Sequence, residues 1–146
     1  MLASISRIER DNRIEIPIDV ANRCSMKLSI VGTNKDHRYL EGLKKISGPN
    51  IEFLGEIREP NKISVLKRAK ILLHATDGKF RDYLDYSILD GMAYGCVPLC
   101  ITPDAKQFEE ISTRGLGMVV NTSLEAISAV HEILDIEAST SSLFST

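Results

Sequence analysis

Short apolar segments alternate with amphipathic segments along most of this chain, and this alternation constrains its fold more than any other feature. The apolar segments are rich in β-branched residues or nearly continuous, which is typical of strands covered on both faces of a parallel sheet. The segments between them carry apolar residues at helical spacing. Strands are predicted at residues 26–31, 51–55, 70–75, 97–101 and 118–120, and helices at residues 39–46, 61–69, 82–92, 106–111 and 123–134.

This order predicts a Rossmann-like α/β fold, an open parallel sheet with helices on both faces. Ligands of such sheets bind beyond the carboxyl ends of the strands, where the strand order reverses. The loops after Val31, Ala75 and Ile101 are therefore the expected binding region. Gly32 is interpreted as a tight turn that ends a strand, and a phosphate-binding turn is the alternative.

The two ends of the chain carry weaker patterns. Residues 4–12 are polar and basic, and core character begins only at residues 14–20, where Pro17 suits a first helical turn. Asn61 and Ser123 are expected helix caps. Residues 137–146 are rich in Ser and Thr and are expected to fray. The 146 residues are expected to form one domain.

Composition limits the classes of function. The 18 basic and 20 acidic side chains nearly balance, which argues against a nucleic-acid partner or a general membrane footprint. No apolar run approaches the length of about 20 residues that spans a membrane. Cys24, Cys96 and Cys100 are interpreted as reduced thiols, so a soluble cytoplasmic protein is expected.

Two acids mark the candidate site. Asp82 and Asp90 are eight residues apart and lie on one side of the predicted helix, about 12 Å apart along its axis. That span suits an extended ligand with hydroxyl groups. Asp82 at the helix start has a second explanation as an N-cap, whereas Asp90 lies inside the helix, where Asp is unfavourable. His74 is interpreted as a core imidazole, with ligand contact as the alternative.

The segment that begins at Asp82 resembles the carboxyl-terminal, donor-binding domain of retaining glycosyltransferases with the GT-B fold, the group called family four or group one. The hallmark of that group is an acid, seven residues, a second acid, and a continuation similar to Met-Ala-x-Gly-x-Pro. Here Asp90 is followed by Gly-Met-Ala-Tyr-Gly-Cys-Val-Pro. The likeness extends over about residues 6–134, with segments 28–32, 51–55 and 69–73 in the order of the family.

The chain departs from the family at several positions. Both family acids are usually Glu, whereas both are Asp here, which keeps the charge and shortens the reach. The family has Gly-Phe-Gly after the first acid, and this chain has Tyr83, Leu84 and Asp85. The family pair of Arg and Lys near the amino end corresponds to Arg7 and Arg13, with Asn12 at the alternative Lys position.

The resemblance implies a nucleoside-diphosphate sugar as donor substrate, without a metal or other cofactor. Arg7 and Arg13 would contact the diphosphate, assisted by the backbone of residues 83–85. Asp82 would be the catalytic residue, and its carboxylate would accept hydrogen bonds from the sugar hydroxyls. Asp90 would accept hydrogen bonds from the ribose.

The resemblance also implies a missing partner. Enzymes of this fold have an amino-terminal acceptor-binding domain, for which this chain has no room. We therefore expect the donor half of a longer glycosyltransferase in polysaccharide, glycolipid or glycoprotein synthesis, inactive alone and in contact with the inner membrane face only through its parent. The alternative is a degenerate nucleotide-sugar or protein-binding module without transferase activity.

Overall fold

The computed structural model describes residues 1–79 and 86–144. The strands are Leu2–Ile5 (β1), Leu28–Val31 (β2), Ile51–Gly55 (β3), Ile71–Ala75 (β4), Val97–Ile101 (β5) and Met118–Val120 (β6). The helices are Glu15–Cys24 (α1), His37–Ile46 (α2), Asn61–Arg68 (α3), Tyr86–Ala93 (α4), Glu109–Thr113 (α5) and Ser123–Phe144 (α6). Short 3-10 turns lie at Arg10–Asn12 and Ala105–Phe108.

The described strands form one six-stranded sheet in the order β3-β2-β1-β4-β5-β6, and every neighbouring pair is parallel. The predicted Rossmann-like fold is therefore confirmed. Chain order reverses between β1 and β4, which are direct neighbours through the pairing of Leu2 with Ile71. The crevice for a ligand is expected at the carboxyl ends of these two strands.

The strand β1 was not predicted, and the interpretation of residues 4–12 as a polar segment was wrong at its start. Leu2 and Ala3 are fully buried, and Ser4 is 3% exposed, because β1 lies in the middle of the sheet. Four residues are too short to show a period, and Ser4 interrupts the apolar run. Its pairing with both β2 and β4 makes this segment a strand.

Helices cover both faces of the sheet because successive strand residues point to opposite sides. Leu2, Ile71 and Leu73 pack in one apolar cluster with side chains of α1, α2 and α6. The alternate residues Ala3 and Leu72 pack on the other face with α3. A third cluster joins side chains of α4, α5 and β5.

Several helix ends differ from the sequence predictions. The N-cap of α3 is Pro60 rather than Asn61. Thr122, rather than Ser123, caps α6: its Oγ1 accepts from the Glu125 N–H at 3.1 Å. The helix α6 continues to Phe144, beyond its predicted end at residue 134.

The Gly95 of the motif ends α4 in a Schellman arrangement. Its φ of 91° is left-handed, its N–H donates to the Met92 carbonyl at 3.2 Å, and the Cys96 N–H donates to the Gly91 carbonyl at 2.9 Å. Glycine tolerates this conformation because it has no Cβ. The turn leads directly into β5.

Gly32 is required by a close backbone approach. It does not adopt a positive φ, so the interpretation as a tight turn misses the reason for the glycine. A Cβ added to Gly32 would lie 1.7 Å from the carbonyl oxygen of Ser6. Since this contact joins the ends of β1 and β2, the glycine lets the two loops meet.

We expect Gly32→Ala to destabilise the protein by about 2 kcal/mol or more, because backbone rather than a flexible side chain must move. Gly42→Ala is the matched control: Gly42 lies within α2, and an added Cβ meets nothing within 4 Å. That change should stabilise the helix by about 0.5–1 kcal/mol. Urea unfolding of both variants measures the difference, and equal midpoints would contradict the close contact.

Tyr39 joins α2 to the start of α1. Its hydroxyl donates to Glu15 Oε1 at 2.6 Å and accepts from the buried Ile14 N–H at 2.8 Å. The side chain of Arg10 lies 5.3 Å from the ring centroid. Burial, followed by the neighbouring Glu15 carboxylate, raises the pKa of Tyr39 well above its usual range.

This raised pKa predicts a loss of stability in alkali. As the pH rises, the unfolded state releases the Tyr39 proton before the folded state does. The contribution of Tyr39 to the free energy of unfolding is therefore complete below about pH 10, and above that pH it falls by up to about 1.4 kcal/mol per pH unit. In Tyr39→Phe this decrease of the free energy of unfolding with pH should be absent. At pH 7 the variant should be less stable than wild type by about 1–3 kcal/mol. Chemical unfolding between pH 7 and 11 compares the two proteins. Parallel curves above pH 10 would show that Tyr39 does not titrate as expected.

Candidate functional site

A cleft of about 440 Å³ opens at the carboxyl edge of the sheet, beside the reversal of strand order. It is lined by the ends of β1, β2 and β4, the segment after β3, and the starts of α3 and α4. The lining residues are Ile5, Ser6, Arg7, Asn12, Val31, Gly32, Thr33, Glu56, Ile57, Lys62, His74, Tyr86 and Ser87. Of the three loops expected to bind a ligand, this cleft uses the one after Val31, and it adds the loop after β1.

The loop after β1 brings Arg7 to the cleft. Its backbone is joined to the end of β2 by a hydrogen bond from the Ile8 N–H to the Thr33 carbonyl at 2.9 Å. The Arg7 side chain is 67% exposed, and its Nε lies 3.7 Å from the Glu9 carboxylate. Such an exposed pair is weak, so the guanidinium can turn toward an anionic ligand.

Asn12, rather than Arg13, lies beside Arg7 in the cleft. The Asn12 Nδ2 donates to the Arg7 carbonyl at 2.7 Å, which holds the loop closed. Arg13 is not among the lining residues and has a left-handed φ of 43°. The arrangement gives no support to Arg13 as a second diphosphate contact, and that role stays a prediction.

Asp90 lies on α4 and is paired with Lys62 on α3. The Lys62 Nζ donates to Asp90 Oδ2 at 2.8 Å, with the lysine side chain 26% and the aspartate side chain 44% exposed. Lys62 lines the cleft and was not predicted, because a lysine in an amphipathic helix has the pattern of any solvated position. The distance from Asp90 to Lys62 along the chain leaves no sequence signal for this pair.

His74 is both a core residue and a cleft residue. It is 6% exposed, and its ring packs edge-on against Phe108 with centroids 5.5 Å apart. It also lines the cleft from β4. The two interpretations of His74 are therefore compatible.

Four predicted site residues, Asp82, Tyr83, Leu84 and Asp85, lie outside the described residues. Their roles stay predictions. The described chain resumes at Tyr86, which with Ser87 lines the cleft.

The charge of the cleft suits an anion flanked by hydroxyl groups. Among the described lining residues, Arg7 and Lys62 contribute cations and Glu56 contributes a carboxylate. Asp90 is not one of these lining residues, and its carboxylate is connected to the cleft through its pairing with Lys62. Within the described part of the chain, no group of three His, Cys, Asp or Glu side chains is arranged to hold a metal ion.

No protein-family model matches the sequence. No curated protein matches it either. Among solved structures, the chain is similar to AviGT4, a glycosyltransferase involved in avilamycin A biosynthesis, with a TM-score of 0.75 and 15% identity over 90% of this chain. It is also similar to a UDP-forming α,α-trehalose-phosphate synthase from Burkholderia vietnamiensis, with a TM-score of 0.70 and 11% identity over 91% of this chain.

The likeness covers 41% of AviGT4 and 35% of the trehalose-phosphate synthase, so the chain spans well under half the length of either. At these identities the similarity is one of fold. The chain has the Rossmann-like fold of one part of GT-B glycosyltransferases.

In the described residues, no helix is both long enough and apolar enough to cross a membrane.

Proposed function

We propose that this chain is the donor-binding half of a glycosyltransferase and that its cleft binds a nucleoside-diphosphate sugar. The observation that carries the proposal is the position of the cleft: it lies at the reversal of strand order and has Arg7 and Lys62 in its lining. The fold likeness to glycosyltransferases and the acid-rich motif around Asp90 support the same conclusion.

Each part of the donor has a matching group in this proposal. Arg7 binds the diphosphate through charge-assisted hydrogen bonds, and its weak pairing with Glu9 leaves it available. Gly32 contributes to the cleft wall where the ends of β1 and β2 meet. Asp90 accepts a hydrogen bond from a ribose hydroxyl while Lys62 holds its other carboxylate oxygen.

The proposed reaction is retaining transfer of the sugar to an acceptor carried by another domain. Charge builds up on the leaving diphosphate in the transition state, and nearby cations stabilise it without a metal. Asp82 is the proposed catalytic residue, a carboxylate that accepts hydrogen bonds from the sugar hydroxyls, and the backbone N–H groups of residues 83–85 are proposed to assist in binding the diphosphate. The parent enzyme is proposed to act in the cytoplasm on a polysaccharide, glycolipid or glycoprotein, at the membrane only through its other parts.

A second candidate is a degenerate binding module of the same fold that no longer transfers sugar. The replacement of the family glycines by Tyr83 and Asp85 favours it, because a carboxylate near a diphosphate repels it. The two candidates differ in turnover, and nucleotide binding in the cleft is compatible with both.

Titration calorimetry with UDP, GDP and ADP sugars tests the proposed site. We expect one of these donors to bind, Arg7→Ala to weaken its binding about tenfold or more, and Asp90→Asn to weaken it about 3- to 10-fold. Both changes remove a charge-assisted hydrogen bond to the ligand.

Matched controls come from α1. Arg23 and Asp19 form an exposed pair at 3.0 Å with side chains 59% and 41% exposed, and neither lines the cleft. Arg23→Ala and Asp19→Asn should leave binding unchanged. Absence of binding of all three donors at millimolar concentration, or equal losses in the cleft and control variants, would overturn the proposed site.

A further inference from the structure

One side-chain amide holds the loop that follows β4. Gln107, in the 3-10 turn after β5, accepts at its Oε1 from the hydroxyls of Thr76 at 2.9 Å and Thr102 at 3.0 Å. Its Nε2 donates to the Lys79 carbonyl at 3.1 Å. The two threonines are 1% and 2% exposed, so their hydroxyls are shielded from water, whereas the hydrogen bond to the Lys79 carbonyl is exposed.

The network admits one orientation of the amide. The Thr76 hydroxyl already accepts from the Gly78 N–H at 2.9 Å, and the Thr102 hydroxyl accepts from the Asp104 N–H at 3.1 Å. The Thr76 hydroxyl donates its proton to the Gln107 oxygen, and the Thr102 hydroxyl donates either to that oxygen at 3.0 Å or to the Asp104 carbonyl at 3.3 Å. The Lys79 carbonyl, on the other side of the amide, can only accept a hydrogen bond, so the amide nitrogen must face it. Glutamine supplies both functions at once.

The loop held in this way contacts the loop that carries the cleft residues after β1. The Asp77 N–H donates to the Asp11 carbonyl at 3.1 Å, across the reversal of strand order. The Lys79 ammonium lies 3.6 Å from the Asp77 carboxylate and 3.8 Å from that of Asp11. Asp11 lies in the same loop as Arg7 and Asn12, which both line the cleft.

We propose that Gln107 is a positioning residue for the cleft. Gln107 is not among the residues that line the cleft. It acts by fixing residues 76–79. These residues support the loop that carries Arg7 through the hydrogen bond from the Asp77 N–H to the Asp11 carbonyl. The inference rests on the proposed nucleotide site, because its consequence for function is the affinity of that site.

Gln107→Glu isolates the contact to Lys79. A carboxylate still accepts from both threonine hydroxyls, but it cannot donate to the Lys79 carbonyl and repels it. Asn121→Asp is the control, since it adds the same charge at an exposed position after β6.

The experiment combines amide hydrogen exchange with calorimetric titration of UDP, GDP and ADP. In Gln107→Glu we expect exchange of the Asp77 and Gly78 amides to rise about 3- to 10-fold and the affinity for the nucleotide that wild type binds to fall by a similar factor. The control should change neither, and thermal unfolding checks that both variants remain folded.

Three results would overturn the inference. Unchanged exchange at Asp77 and Gly78 would show that Gln107 does not hold the loop. Faster exchange with unchanged nucleotide affinity would show that the loop does not position the cleft. A wild-type protein that binds none of UDP, GDP and ADP would overturn the proposed function as well, and this failure is recognised because it occurs before any substitution.

Discussion

The structure depends on the placement of β1 in the middle of the parallel sheet. This four-residue strand pairs with β2 on one side and β4 on the other, and its residues contribute to the cores on both faces. Its carboxyl end then meets the end of β2 so closely that the Ser6 carbonyl leaves room only for glycine at position 32. Because chain order reverses next to β1, the same placement opens the crevice in which the cleft lies.

The polar groups of the cleft edge follow from this arrangement. Parallel strands end at one edge, so their loops gather there and must satisfy their backbone groups with one another. The Ile8 and Asp77 N–H groups bond to neighbouring loops, and the amide of Gln107 completes the contact to the loop after β5. The loops around the cleft are thereby held to one another by hydrogen bonds.

The residues around the cleft show which features a local sequence pattern predicts and which it does not. The Asp90 to Pro98 motif encodes a helix, a left-handed Gly95 cap and a buried strand, and each of these is local enough to be recognised. Lys62 was missed because its partner Asp90 lies on another helix, and Gln107 was missed because two of its three partners, Thr76 and Lys79, lie in the loop after β4. Asn12 and Arg13 are neighbours in sequence, and only the path of the loop distinguishes the one in the cleft.

The sequence by itself determined the fold class, the order of most strands and helices, and the motif around Asp90, because these depend on periodicity and on residues close together in the chain. Tertiary structure decided that residues 2–5 form a strand, that Gly32 serves a close contact, and that Lys62 faces Asp90. These features arise from contacts between distant segments. The order of strands in the sheet brings such segments together. The order of residues along the chain does not show which strands become neighbours.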